Sequence, residues 1–129
     1  MHNHLRLEIW IRSSELSVQI CAAISRMRGR RYRAVLGQLE RAIVSVPSNI
    51  AEGAGQSSDA QFARFLSIAI GSINESMSHL ELLSRLSVLP AAQAREWCAE
   101  LIAIRRMTHG LRQRLIGPAP SPDPPDRRP

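Results

Sequence analysis

The sequence has no lysine: all 17 basic residues are arginine, against 11 acids, for a formal charge of +6. Every cationic side chain is therefore a guanidinium, a planar fork of donors suited to phosphate. Aromatic residues are nearly as scarce. Trp10, Tyr32, Phe62, Phe65 and Trp97 are the only five, although apolar types make up 44% of the chain. A composition that apolar is not that of a disordered protein. One so poor in aromatic and β-branched residues is not that of a β-sandwich. A helical domain remains, and 129 residues make one domain.

Other absences narrow the function. Cys21 and Cys98 are too few for a disulfide framework and lack CxxC spacing. Both lie in apolar helical stretches and read as reduced, buried thiols. Charges recur from Arg6 through Arg12 and Glu15, which is not the pattern of a signal peptide. The longest uncharged runs, such as 65–74, are about half the roughly 20 residues a bilayer needs, so no membrane partner is expected. A cytoplasmic protein is expected. No Glu-x-x-His occurs, so the repeated motif of di-metal bundles is missing; Glu75 and His79 stand four apart, a surface-pair spacing. No hydrolase motif surrounds any serine, cysteine or histidine, and no glycine-rich phosphate loop follows a strand. The expectation is no enzyme, no cofactor and no metal.

What is present has helical period. Residues 1–117 read as one four-helix domain, and 118–129 as a flexible tail holding six of the eight prolines. The first helix, about Leu5 to Met27, places Ile9, Leu16, Ile20, Ala23 and Met27 on one seam. The second starts near Arg33, carries Leu36, Leu39, Ile43, Val46 and Ile50, and runs to the glycines at 53 and 55. The third opens at Ser57-Ser58-Asp59, good capping chemistry, and carries Phe62, Leu66, Ala69, Ile73, Leu80 and Leu83. The Leu89-Pro90 step closes it. The fourth carries Trp97, Leu101, Ile104, Thr108, Leu111 and Leu115. Short connections imply an all-α, antiparallel, up-down-up-down four-helix bundle. Ile68, Ile70, Leu82 and Leu86 fall off the third helix's seam, and Leu7, Ile11 and Val18 off the first's. Helices apolar on two faces are buried on two faces, which predicts a homo-oligomer.

Helical spacing continues through Pro47, which predicts a kinked second helix rather than a broken one. Ser45 or Ser48 would then serve the carbonyls that the kink frees. Ser45, Asn49 and Glu52 share a polar stripe opposite the apolar one, and Ser72 and Glu75 of the third helix lie within reach of it. Together they form a candidate inter-helix polar network. Gly53 ends the second helix, and Gly71 would let the third approach it closely.

These residues carry a resemblance. The run SVPSNIAEGAG, followed by FARFLSIAIGSINE, resembles the 23S rRNA intervening-sequence proteins, a family of four-helix bundles. Their signature, Q-x-x-R-A-x-x-S-I-P-x-N-I-A-E-G and then F-x-x-F-L-x-I-A-x-G-S-x-x-E, falls on Gln38, Arg41, Ala42, Ser45, Pro47, Asn49, Ile50, Ala51, Glu52 and Gly53. Its second half falls on Phe62, Phe65, Leu66, Ile68, Ala69, Gly71, Ser72 and Glu75, with Val46 standing for the signature isoleucine. The resemblance covers about residues 5–116 and implies a ring-like homo-oligomer, a pentamer. Related accessory proteins of diversity-generating retroelements bind nucleic acid, which makes RNA or DNA an expected partner. Two departures stand out: the loop between the first two helices is short and basic, and Gln56 replaces a usual basic residue.

That loop is the candidate nucleic-acid surface. Arg26, Arg28, Arg30, Arg31 and Arg33 fall within eight residues, with Tyr32 among them. Guanidinium forks match phosphate, and a tyrosine can stack on an unpaired base. Arg105, Arg106, Arg112 and Arg114 make a second group at the opposite end of the bundle. The alternative is an interaction scaffold that presents the polar kink or the proline tail to another protein.

Overall fold

The computed structural model describes residues 1–27, 29 and 31–117. Among them are four α-helices and no strand: α1 (Glu8–Arg26), α2 (Arg33–Ala54), α3 (Asp59–Arg85) and α4 (Ala91–Ile116). A 3₁₀ turn, His4–Arg6, precedes α1. Arg28, Arg30 and the proline-rich segment 118–129 lie outside the described residues.

Local chemistry sets the ends. The hydroxyl of Ser58, in extended backbone, accepts from the Gln61 N–H at 3.2 Å and starts α3. α3 stops at Arg85, short of the Leu89-Pro90 step. Ser87 turns left-handed (φ 59°), and the Val88 N–H reaches back to the Leu83 carbonyl at 2.9 Å. That backbone reversal ends the helix before the proline is reached. Pro90 instead opens α4, its carbonyl accepting from the Ala94 N–H at 3.1 Å. The expected start of α1 at Leu5 also moves. Leu7 is extended, and the Asn3 side chain caps the 3₁₀ turn through the Leu5 N–H.

The apolar stripes meet as their spacing dictates. Leu39, Ile43, Val46 and Ile50 of α2, Leu66, Ile73 and Leu80 of α3, Ile20 of α1, and Leu101 and Ile104 of α4 are fully buried. Each such side chain withdrawn from water contributes about 1.5–3 kcal/mol. α2 packs most extensively on α3; α3 on α4 and α1 on α2 follow, and α1 on α4 is the sparsest pairing. At Gly53 α2 packs tightly on α3. A Cβ there would lie 2.7 Å from Phe65 Cβ and 2.8 Å from Phe62 Cδ2, so no larger residue fits. The expectation for Gly71 fails: it is exposed, and a Cβ added to it meets nothing within 4 Å.

One ion pair ties the sparse pairing together. Arg12 donates from Nε to Glu100 Oε1 at 2.6 Å and from Nη2 to Oε2 at 2.9 Å, a two-pronged contact between α1 and α4. The Arg12 hydrogen bond holds the Glu100 carboxyl below its ordinary range, against the opposing effect of burial. A carboxyl depressed in the folded chain contributes stability above its unfolded pKa of about 4.3, and loses it as the pH falls through the lower folded value. Glu100→Gln is therefore expected to unfold more easily than wild type at neutral pH, by about 0.5–1 kcal/mol for this half-exposed pair. The gap should narrow as the pH falls below about 4.3 toward the lower folded value. Urea midpoints measured across that range check it; a gap independent of pH would refute it.

Candidate functional site

The polar seam is built around Pro47. Proline has no N–H, so the carbonyl of Ile43, four residues back, loses its helical partner. α2 nevertheless runs unbroken from Arg33 to Ala54. The missing donor comes from another helix: Ser17 Oγ of α1 lies 3.1 Å from the Ile43 carbonyl and 2.7 Å from its own Ser13 carbonyl. One hydroxyl proton serves both. Of the two serines expected to do this work, Ser48 acts one carbonyl further on, and Ser45 serves no carbonyl among the described residues and instead meets Ser72 and Asn49. Ser48 Oγ donates to the Val44 carbonyl at 2.8 Å, and Asn49 Nδ2 to the Ser45 carbonyl at 2.8 Å.

Across the α2–α3 contact the seam continues. Ser45 Oγ and Ser72 Oγ are 2.8 Å apart, and Asn49 Nδ2 donates to Ser45 Oγ at 2.9 Å. Ser76 Oγ, fully buried, donates to the Ser72 carbonyl at 2.8 Å. The structure thus brings Ser45, Asn49 and Ser72 together. It leaves the two carboxylates out. Glu52 is exposed, and Glu75 is exposed and pairs with His79 Nε2 at 3.3 Å, one turn along its own helix. The reason is solvation: a carboxylate keeps its charge in water more cheaply than in a half-buried seam of neutral hydroxyls. The seam is neutral, and its hydroxyls face carbonyls and each other rather than a base. Such an arrangement orders backbone; it does not activate a nucleophile.

The arginine loop divides into braces and exposed heads. Arg33 turns back on its own loop, Nε donating to the Gly29 carbonyl at 2.7 Å. Tyr32 is half-buried and left-handed (φ 61°) at the threshold of α2. The Arg31 guanidinium lies 5.4 Å from its ring centroid, a cation–π distance. Arg26 and Arg31 are exposed. Among the described residues no carboxylate lies within ion-pair distance of either. The second group divides too: Arg105 donates to Asn74 Oδ1 at 2.6 Å and Arg112 to Ser67 Oγ at 2.7 Å, both bridging α4 to α3.

No group of three His, Cys, Asp or Glu among the described residues is placed to hold a metal. Burial, and then Glu40, raises the Cys21 thiol above its ordinary range; burial and Glu81 do the same for Cys98. Neutral thiols are poor nucleophiles. Sequence reasoning missed Ser13, Ser17 and Ser76, all buried. A signal existed in their register, since Ser13 and Ser17 interleave with Ile9, Leu16 and Ile20 on the core face of α1. The Arg12–Glu100 pair had none, because its partners are 88 residues apart.

Over residues 5–110, from before α1 into the last turns of α4, the sequence matches the 23S rRNA-intervening sequence protein family. The chain belongs to that family. The helices agree with a solved structure, a protein of unknown function from the S23 ribosomal protein family of Bacteroides thetaiotaomicron. Its TM-score is 0.74 at 23% identity, over 81% of this chain and 98% of that one, a likeness of fold. No curated protein matches. Ser45, Asn49, Gly53, Phe62, Phe65 and Ser72, all within the matched range, meet across the α2–α3 contact.

The Ser17 contact is open to a direct test. Ser17→Ala leaves the Ile43 carbonyl buried without a donor and is expected to cost about 1–3 kcal/mol in urea unfolding. Pro47→Ala restores the helical N–H. In that background the Ser17→Ala cost should shrink by about 1 kcal/mol. Strictly additive effects would sever the link between the two residues.

Proposed function

We propose that the chain is a non-enzymatic, ring-forming, up-down-up-down four-helix bundle, bent in α2 at Pro47, that binds nucleic acid through the arginine loop between α1 and α2. The observation that carries the binding is the exposure of Arg26 and Arg31 beside Tyr32, on a loop held in shape by Arg33. Among the described residues these two guanidiniums have no carboxylate partner, which leaves them available for phosphate. The reading as non-enzymatic is supported by the seam, whose hydroxyls are occupied by carbonyls and each other.

The ring rests on the apolar side chains left in water. Ile11 and Val18 on α1 are 39% and 69% exposed, and Ile68 and Leu82 on α3 are 42% and 44% exposed. Leu7, Ile70 and Leu86 are half-buried within the single chain. α1 and α3 do not pack on each other. Their outer faces therefore look away from the bundle on different sides. Two unlike faces that seek cover join head to tail, the kind of contact that builds a ring when its rotation closes, as the family resemblance implies.

Two measurements test this. Titrating labelled single-stranded RNA at several salt concentrations should give a salt slope that falls by roughly 0.7 for each phosphate-contacting arginine removed. Arg26→Ser with Arg31→Ser is expected to lower both affinity and slope; no change in either would end the binding proposal. Light scattering should find a pentamer that Val18→Asp dissociates. A wild-type chain that is only monomeric at micromolar concentration would end the ring.

A further inference from the structure

Because α1 and α4 pack most sparsely, a groove of about 380 Å³ stays open where the start of α1 faces the later turns of α4. Leu7 and Ile9 line one side, and Met107 and Leu111 the other. Ile9 is buried and the other three are half-buried, so the walls are apolar and already part of the core.

Gly110 lies in this groove, inside the later turns of α4. A glycine there costs about 1 kcal/mol against alanine. Packing within the chain does not require it, unlike Gly53, since a Cβ would meet nothing nearer than Arg114 Nη1 at 3.9 Å. What the glycine does is keep the groove open, with the Arg114 guanidinium leaning over the gap. Arg106, one turn to the other side of Gly110, also lines the groove, and both arginines are exposed. Glu8 is the acid on this rim, and Arg12 Nη1 stands 3.8 Å from it, so the rim stays cationic.

We propose that this groove binds a small amphipathic carboxylate, its apolar body between Leu7, Ile9, Met107 and Leu111 and its carboxylate on Arg114 and Arg106. The volume suits a ligand of roughly six to ten carbons. The guanidinium fork accepts a carboxylate on two prongs at the edge of an apolar wall, where charge-assisted hydrogen bonds are strong. The site is independent of the arginine loop, which lies at the other end of the bundle.

Calorimetric titration of the whole chain with octanoate, octanol and octylamine tests it. Octanoate is expected to saturate one site per chain at or below about 1 mM, octanol to bind at least tenfold more weakly, and octylamine not to bind. Arg114→Gln should weaken octanoate about tenfold. Gly110→Leu should abolish binding while circular dichroism shows the helix content retained, leucine being the better helix former. Gly110→Ala, the smaller change, should weaken it in part, and this variant decides the matter if Gly110→Leu fails to fold. Equal affinity for octanoate and octanol, octanoate binding unaltered by filling the glycine, or no saturable heat would overturn the proposal. So would binding to anionic phospholipid vesicles without binding to monomeric octanoate.

Discussion

A helix that passes through a proline must find a donor for a carbonyl it can no longer serve itself. In this bundle that donor is Ser17, and much follows from it. Without the Ser17 hydroxyl the buried Ile43 carbonyl has no donor, at a cost of about 1–3 kcal/mol to the folded state. The turns after Pro47 hold Asn49, Ile50 and Gly53. Asn49 donates to Ser45, which meets Ser72; Ile50 is fully buried; Gly53 admits Phe62 and Phe65. The helix that makes the most extensive contact in the molecule, α2 with α3, thus has its one proline-orphaned carbonyl paired by a hydroxyl of α1. The same contact favours one register of α1 against α2, since Ile43 supplies the one α2 carbonyl that Ser17 reaches.

The family signature can be understood on the same footing. Serine, proline, asparagine and glycine are poor helix formers, and five of them in the nine residues 45–53 ought to break α2. Each is offset by a partner: Ser45 by Ser72, Pro47 by Ser17, Ser48 by the Val44 carbonyl, Asn49 by the Ser45 carbonyl, Gly53 by the two phenylalanines. The motif is a description of one helix–helix contact. Matching it identifies the fold strongly and a chemistry hardly at all, which is why the exposed arginines rather than the signature carry the functional proposal.

The fold was legible because the apolar spacing is nearly regular. Leu36, Leu39, Ile43, Val46 and Ile50 follow one stripe, and all five are buried. Helix ends marked by side chains, such as Ser58, were legible too; the end of α3, made by backbone turning left-handed at Ser87, was not. The seam was legible only in part. Periodicity tells which face a residue occupies, but not whether its side chain reaches inward or bends toward water, and so Glu52 and Glu75 stood beside Ser45 and Ser72. A glycine declares the absence of a Cβ without saying what stands in its place. Gly53 has two phenylalanines there and Gly71 nothing within 4 Å, a difference no local sequence records.

Arginine content is equally ambiguous until partners are known. A lysine-free chain of formal charge +6 invites reading as a uniform cationic surface. The structure divides that surface by use. Arg12 clamps α4 through Glu100, Arg33 closes its own loop, and Arg105 and Arg112 bridge to α3. The five donors of a guanidinium suit it to such bracing, because it crosses between helices and still keeps N–H groups for solvent. Substituting a bracing arginine perturbs packing and charge together, whereas Arg26, Arg31, Arg106 and Arg114 are exposed heads whose removal changes mainly the field. Those four also sit at opposite ends of the bundle, two beside the α1–α2 loop and two along the groove of α4. Their opposite placement separates the proposed polyanion surface from the proposed carboxylate groove, so that each can be altered while the other is left intact.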